Sequence, residues 1–421
     1  MRRLTTICLV ACMSLAAMAQ QATPLIGTWS GKLKVGAMSL TLVLHFEQEG
    51  ADLKCTLDSP DQGAKGISVH KEFVSADSVS LSVPAIGAGY RARLADGKLT
   101  GTFSQMGMGF PLVMEKKEYK VLRPQTPRQP FPYETEEVTF ANNADNATLA
   151  GTLTYPVGYD KMRDVPVVIM VTGSGLQNRD EEIFSHKPFL VIADYLARHG
   201  IATLRYDDRS HGASTGGDRI KDKATTLDYK RDAQAGIDYL RGMRKFGMVG
   251  VLGHSEGGSI AFMLGGEKCV DFVISLAGLG VKADTALTAQ YNRILELHGQ
   301  KIQISTSQYR QIAHSARSEW MNWFVDYNPA PDIASTTCPV FAVNGGKDCQ
   351  VISSLNLPAI EKTLPYNRET IIKEYPSLNH LLQNCDTGLP AEYNNIEETI
   401  SAEVLTDMAE WINKLGNPLP E

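Results

Sequence analysis

The sequence lacks an excess of positive charge. Its 421 residues include 41 Lys and Arg against 47 Asp and Glu, which gives a formal net charge of −6. Nucleic-acid binding depends on a basic surface that neutralises phosphates, so this balance excludes nucleic acid as the main partner. Beyond the first residues, the chain also lacks an apolar run long enough to cross a bilayer, and we expect no membrane span.

Cysteine is also scarce. Seven cysteines occur, and the five beyond residue 19 are widely spaced, with no CxxC pair among them. An odd and scattered set excludes a disulfide framework and the common zinc sites, and we expect neither a metal nor a cofactor. Two interpretations stay open for Cys349 and Cys385: a bridge at the rim of an active site, or two free buried thiols.

Residues 1–19 have the composition of a secretory signal. Arg2 and Arg3 precede an apolar run, and Ala17-Met18-Ala19 fits a small-x-small cleavage site. We therefore expect an exported protein, periplasmic or extracellular. The stretch from Leu9 to Cys12 resembles a lipoprotein box, but little apolar sequence precedes Cys12, and lipidation is the weaker interpretation.

Residues 20–119 contain short alternating runs separated by Gly, Asp and Ser. Regularly spaced short strands with turn signals predict a small all-β barrel or sandwich. No catalytic pattern stands out there, and three roles stay open: ligand binding, cover for a second domain, or a homodimer contact. Four prolines in residues 120–134 then predict an extended linker, because proline fixes φ and removes a hydrogen-bond donor.

Residues 135–421 change to an alternation of apolar and amphipathic runs. Continuous Val- and Ile-rich strands between helices predict a mostly parallel central sheet that is covered on both faces, an α/β fold. The ligand site of such a sheet lies at the carboxyl ends of its strands. Residues 279–335 interrupt the alternation and predict a helical cap, with helices over residues 286–299 and 306–327.

The segment Gly253-His254-Ser255-Glu256-Gly257 lies between an apolar run and a small-residue helical pattern. Strand, Gly-x-Ser-x-Gly and helix together are typical of a nucleophile elbow, whose strained turn exposes a serine hydroxyl. The amide of Glu256 would then lie at a helix N-terminus, where it can bind an oxyanion. A second copy of the pattern at residues 212–216 lies between polar stretches, so we interpret it as a loop and Ser255 as the nucleophile.

A serine nucleophile needs a base, and the base needs a carboxylate that orients it. After such an elbow, the acid and the histidine come later in the chain, each following a strand. Asp348 and His380 follow the last two predicted strands, and we predict these roles for them. The loop after the strand at residues 167–171 contains Gly173-Ser174-Gly175. Its glycines let the backbone approach a ligand, and the amide of Ser174 or Gly175 is predicted to complete an oxyanion hole with Glu256.

Aromatic and large apolar side chains are frequent in the predicted cap. Each of them has two interpretations: it lines an acyl pocket, or it packs the cap against the core. From this set we take Tyr291, Trp320 and Trp323 as candidates for the pocket. The whole set is Tyr291, Tyr309, Trp320, Met321, Trp323, Phe324 and Tyr327.

Several motifs in this order resemble those of EstD-type bacterial carboxylesterases in the α/β-hydrolase superfamily. This group is often classed with prolyl-oligopeptidase-like and serine-aminopeptidase-like hydrolases. The resemblance covers about residues 136–419 and implies an exported carboxylesterase that acts on a small-molecule ester. Two alternatives stay open: a serine peptidase or amidase, and a binding protein whose hydrolase domain is inactive. The motifs are Gly173-Ser174-Gly175, Asn178-Arg179-Asp180-Glu181, Tyr206-Asp207-Asp208-Arg209, the elbow, Gly346-Lys347-Asp348 and Leu378-Asn379-His380-Leu381.

Overall fold

The structure is a computed structural model of the chain. It describes residues 24–35, 38–50, 52–62, 64–75, 77–117, 122–217 and 223–416. The predicted signal sequence and the alternative lipoprotein motif lie outside these residues. The chain divides into two compact units, Met1–Leu122 and Arg123–Glu421, and the division falls within residues 120–134.

The first unit is a single antiparallel sheet of nine strands in the order β4-β3-β2-β1-β9-β8-β7-β6-β5. Side chains alternate along its strands, and Leu53, Cys55 and Leu57 of β3 all point into the core. The buried hydroxyl of Tyr90 donates to the carbonyl of Leu99 at 2.9 Å, so this polar group is satisfied inside the core. The strands are β1 Gly27–Val35, β2 Met38–Glu49, β3 Asp52–Ser59, β4 Ala64–Ser68, β5 His70–Val74, β6 Ser78–Val83, β7 Ala88–Ala95, β8 Lys98–Gln105 and β9 Met108–Lys116.

The second unit is built on an eight-stranded sheet in the order β10-β11-β13-β12-β14-β15-β16-β17. The pairs β10–β11 and β11–β13 are antiparallel, and the other five neighbouring pairs are parallel. The carboxyl ends of β12 to β17 therefore lie along one edge. The strands are β10 Thr135–Asn142, β11 Ala147–Thr154, β12 Val167–Val171, β13 Ala202–Tyr206, β14 Val249–His254, β15 Phe272–Leu276, β16 Val340–Gly345 and β17 Ile371–Tyr375.

Helices cover both faces of this sheet. Along β12, Val167, Ile169 and Val171 join one buried cluster, and Val168 and Met170 join a second cluster on the opposite face. This two-sided burial explains why the strand is apolar at every position. No described helix is long and apolar enough to span a bilayer. The helices are α1 Pro188–Arg198, α2 Thr226–Met243, α3 Glu256–Gly266, α4 Ala283–Leu297, α5 Thr306–Ser315, α6 Glu319–Phe324, α7 Ala330–Ser335, α8 Ser353–Thr363, α9 Pro390–Tyr393 and α10 Ala402–Gly416.

The helical stretch between β15 and β16 differs from the prediction. One helix was predicted over residues 306–327, but α5 ends before Arg317, whose φ of 52° is left-handed and cannot continue an α-helix. Ser318 then caps the next helix, because its hydroxyl accepts a hydrogen bond from the amide of Met321. The helix α6 therefore begins anew after the break, and Phe324 is its buried residue.

Part of the predicted linker is bound to the backbone of the second unit. The guanidinium of Arg123 donates to the carbonyls of Ile396 at 2.9 Å and Phe184 at 2.7 Å. The side-chain amide of Gln125 donates to the carbonyl of Ile400 at 2.7 Å. These two residues are therefore held by hydrogen bonds within the second unit.

Candidate active site

Ser255 lies in a sharp turn between β14 and α3. Its φ of 56° and ψ of −115° are unusual for a residue with a side chain and store strain of about 1–3 kcal/mol. A Cβ on Gly253 would lie 1.8 Å from the carbonyl oxygen of Gly257, and one on Gly257 would lie 2.1 Å from the oxygen of Val171. The turn therefore requires glycine on both sides of the serine, which is the physical content of the Gly-x-Ser-x-Gly pattern.

Asp348 and His380 lie side by side after β16 and β17. Oδ2 of Asp348 is 2.7 Å from Nδ1 of His380, and both side chains are buried. The other carboxylate oxygen accepts from the amides of Gln350 at 2.7 Å and Val351 at 2.9 Å, which hold the carboxylate in one orientation. Because an ionised carboxylate only accepts, Nδ1 of His380 carries the proton and Nε2 is free to act as a base.

Ser255 and His380 border one cavity of about 330 Å³. Ser174 and Glu256 also border it, and no acceptor in the described part of the chain binds the amide of either residue. The amide of Gly173 is used, since it donates to Oε1 of Glu181 at 2.8 Å. The cavity therefore offers two unpaired N–H groups next to the serine, one of them at the N-terminus of α3.

Three predicted residues lie outside the lining of this cavity. Gly175 does not border the cavity, whereas Ser174, the alternative in the same loop, does. Tyr291 is 37% exposed and meets the edge of Tyr309, while Trp323 stacks on Tyr327 in the packing of the cap. The helix break alters which side chains face inward. The lining from the cap consists of Leu279, Ala286, Leu287, Gln290, Tyr309, Trp320, Met321 and Phe324.

A buried network that sequence reasoning missed joins the loops around the serine. Oε1 of Glu181 lies 2.9 Å from Nδ1 of His254, and Nε2 of His254 donates to the carbonyl of His380 at 2.9 Å. The same Glu181 oxygen accepts from the amide of Gly173. His254 therefore connects the loop of Glu181 with the loop that contains His380. The only signal in the sequence was Glu181 within the motif at residues 178–181.

The charge state of His254 follows from this pairing. Burial alone would lower its pKa, but the Glu181 carboxylate beside it outweighs burial and raises the pKa of His254 to about 9. His254 is therefore a buried cation near neutral pH. His254 binds Glu181, which accepts from the amide of Gly173, and it also binds the carbonyl of His380. It therefore links the turn before Ser174 to the loop that contains His380.

The side chain of Glu256 is buried beside the cavity, although the prediction used only its amide. Its Oε1 accepts from the hydroxyl of Thr226 at 2.6 Å and from the indole N–H of Trp320 at 2.9 Å. Burial raises the pKa of Glu256 and outweighs the hydrogen bonds from Thr226, Trp320 and Ser174, which favour the charged form. The elbow thus places a buried carboxyl group next to the nucleophile.

The second Gly-x-Ser-x-Gly copy has a structural role. The hydroxyl of Ser214 donates to the carbonyl of Asp207 at 2.7 Å and accepts from the amide of Ala150 at 2.9 Å. Ser214 is buried in a loop, and it does not line the cavity around Ser255.

The cysteines beside the site are separate thiols. Cys349 and Cys385 are both free, so the bridge hypothesis is wrong for this structure. Their thiols bond instead to the carbonyls of Gly388 and Ser377, respectively. Burial raises the pKa of each to about 11, which keeps both protonated and unreactive.

Comparison with known sequences gives a match to a family model and a match to an individual protein. A sequence model of the family described as serine aminopeptidase, S33, matches residues 187–381. Esterase EstD from Thermotoga maritima is 25% identical over 282 residues, which cover 63% of this chain. The chain spans 66% of the length of that relative.

Comparison with solved structures gives further similarities. The esterase PF2001 of Pyrococcus furiosus aligns with a TM-score of 0.47 and 18% identity, over 70% of this chain and 99% of that one. Est1E from Butyrivibrio proteoclasticus, with ferulic acid bound, aligns with a TM-score of 0.44 and 17% identity, over 66% of this chain and 100% of that one. The sequence matches carry the conclusion: the chain resembles the α/β-hydrolase superfamily and its esterases.

Proposed function

We propose that this chain is a serine carboxylesterase that cleaves small esters through an acyl-enzyme. One observation carries the proposal: a single cavity is bordered by Ser255 in a strained elbow, by His380 bonded to Asp348, and by the unpaired amides of Ser174 and Glu256. These are the parts that acyl transfer requires. The sequence relative described as an esterase supports the same reading.

The first half of the reaction forms the acyl-enzyme. Oγ of Ser255 attacks the ester carbonyl carbon while its proton passes to Nε2 of His380. The carbonyl oxygen gains the negative charge and binds the amides of Ser174 and Glu256. The tetrahedral intermediate then breaks its bond to the alcohol oxygen, which takes the proton from His380 and leaves.

The second half returns the enzyme to its starting state. A water molecule attacks the acyl carbon with His380 as the base, and the same two amides stabilise the oxyanion again. The bond to Ser255 breaks, Oγ recovers the proton, and the carboxylic acid departs. Asp348 accepts the hydrogen bond from Nδ1 of His380 and stabilises the imidazolium form.

A second candidate is a serine peptidase or amidase with the same parts. The family model described as serine aminopeptidase favours it. A panel of p-nitrophenyl esters and aminoacyl-nitroanilides separates the two. We expect ester hydrolysis to exceed anilide hydrolysis by at least about 100-fold in kcat/KM, and the reverse order would establish the peptidase.

The third alternative, an inactive binding protein, is tested by a fluorophosphonate probe, which labels an activated serine. Absence of labelling at Ser255 in a folded protein would support it. Export to the periplasm or medium, the role of the β unit and a homodimer contact stay predictions. Amino-terminal sequencing of the secreted protein tests export, since cleavage is expected after Ala19.

A further inference from the structure

The loop that follows β12 is bound at both of its ends to one carboxyl group. Oδ1 of Asp208 lies 2.8 Å from the hydroxyl oxygen of Thr172, and Oδ2 accepts a hydrogen bond from the amide of Gln177 at 2.8 Å. The amide of Asp208 donates in return to the carbonyl of Gln177 at 3.1 Å. Ser174 lies between the two points of attachment, so its backbone belongs to a short span that Asp208 closes.

The pairing of the strands brings Asp208 to this place. β12 and β13 are parallel neighbours, with Met170 beside Arg205, so the residues that follow the two strands meet at one edge of the sheet. Asp208 comes two residues after the end of β13 and is 6% exposed. Within the described part of the chain, its side chain makes no hydrogen bond outside this loop.

The backbone just after Ser174 has no other support. The amide before Ser174, that of Gly173, donates to Glu181, but no described residue makes a hydrogen bond to the backbone of Gly175 or Leu176. Gly175 has a φ of 95° and the conformational freedom of a residue without a side chain, so this span can change shape easily. The bond between Asp208 and the amide of Gln177 is therefore the first fixed point of the backbone after Ser174.

We propose that Asp208 is a positioning residue for the oxyanion hole, because it holds the loop so that the amide of Ser174 meets the developing charge. This inference rests on the proposed esterase function and deepens it. Ser174 borders the cavity with Ser255, and its amide has no acceptor in the described part of the chain. Asp208 is not part of the cavity lining and acts only through the loop. A displacement of about 1 Å in a catalytic group lowers the rate by about 100-fold, so loss of these bonds should be visible in kcat.

Asparagine and alanine at position 208 separate the effect of the bonds from the effect of charge. In Asp208→Asn, the carbonyl oxygen accepts from Gln177 and the amide group donates to the hydroxyl of Thr172, which also accepts hydrogen bonds. Burial raises the pKa of Asp208 well above its usual range, so the parent itself favours the uncharged form. Asp208→Asn should keep kcat within about threefold of the parent. Asp208→Ala loses both bonds and should lower kcat by about 100-fold, as removal of one oxyanion donor does.

The test measures hydrolysis of p-nitrophenyl butyrate together with inhibition by propyl trifluoromethyl ketone. Oγ of Ser255 adds to the ketone carbon, its proton passes to His380, and the ketone oxygen becomes an oxyanion in the hole. The inhibition constant does not depend on the amount of folded enzyme, whereas the maximal rate does. In Asp208→Ala we expect KM to stay within about threefold and the inhibition constant to rise by about 100-fold, in step with the fall in kcat/KM.

Two further variants complete the test. Thr172→Val keeps the shape of the side chain but loses its bond to Asp208, and both kcat/KM and the inhibition constant should change by about tenfold. This variant covers poor folding of Asp208→Ala. Asp238→Ala removes an exposed carboxylate from α2 and should leave both quantities within about twofold of the parent.

Three results would overturn the proposal while the esterase function survives. Asp208→Ala could lower the maximal rate with an unchanged inhibition constant, which loss of folded enzyme alone explains. Asp208→Asn could lose as much activity as Asp208→Ala, which would assign the effect to charge. The inhibition constant could also stay unchanged in folded Thr172→Val. If the parent cleaves no ester, the proposed function fails together with the inference.

Discussion

The network of Glu181 and His254 makes a quantitative prediction for Glu181→Gln. The glutamine keeps an acceptor for the amide of Gly173 but removes the negative charge beside His254. Burial, the largest influence on the pKa of His254, then lowers it against only the smaller effects of the His380 carbonyl and the Asp348 charge, so we expect the imidazole to be neutral near pH 7. The variant tests whether a buried cation contributes to stability at this position.

The magnitude follows from the shift in the pKa of His254 from 6.5 to about 9. A shift of this size corresponds to about 3 kcal/mol in the free energy of unfolding. Because the folded pKa is raised, the contribution is complete below pH 6.5 and is lost as the pH rises towards 9. Glu181→Gln should therefore be about 3 kcal/mol less stable than the parent at pH 6, and the gap should close above pH 9.

The assay is guanidinium unfolding at pH 6, 7.5 and 9.5, followed by far-UV circular dichroism. This signal reports the second unit, since the α-helices of the described residues all lie in Arg123–Glu421. Glu182→Gln is the matched control: this neighbour is exposed and should change the free energy by less than about 0.5 kcal/mol. A gap between Glu181→Gln and the parent that stays constant from pH 6 to 9.5 would refute the reasoning.

Three further predictions concern the rest of the site. Asp348→Asn should lower kcat on p-nitrophenyl acetate by about 10⁴-fold with little change in KM, because the amide no longer holds His380 in the reactive tautomer; a loss below tenfold would argue against this role. Cys349 and Cys385 should both be alkylated in denaturant without reductant, and a peptide mass that shows them linked would contradict the free thiols. Trp320→Ala should shift the preferred acyl length upward because it enlarges the cavity, whereas Tyr291→Ala should leave the profile within about twofold; equal effects would contradict the lining.

Residues whose chemistry depends on local sequence were predictable. Glycine is required at positions 253 and 257 because an added Cβ would lie 1.8 and 2.1 Å from backbone oxygens. Such a constraint fixes the residue type, so it can be read from the sequence. The run Val167–Val171 is apolar throughout because both faces of β12 are buried. The proximity of Asp348 and His380 was also predictable. Each residue follows a strand, and the carboxyl ends of neighbouring parallel strands share one edge of the sheet.

Residues whose role depends on distant contacts were not predictable. Glu181 and His254 are 73 positions apart, and no periodicity or spacing connects them. Trp323 lies outside the cavity lining, in a segment where a continuous helix was predicted but Arg317 adopts a left-handed conformation. Such a break resets the helical phase, so apolar spacing no longer tells which side chain faces the cavity.

The central claim is that Ser255 is an activated nucleophile. The most direct measurement is labelling with a fluorophosphonate probe, followed by peptide mass spectrometry, on the parent protein and on Ser255→Ala and Ser214→Ala. We predict one labelled site, Ser255, in the parent and in Ser214→Ala, and no label in Ser255→Ala. Labelling that persists in folded Ser255→Ala, or a folded parent that takes up no label, would contradict the claim.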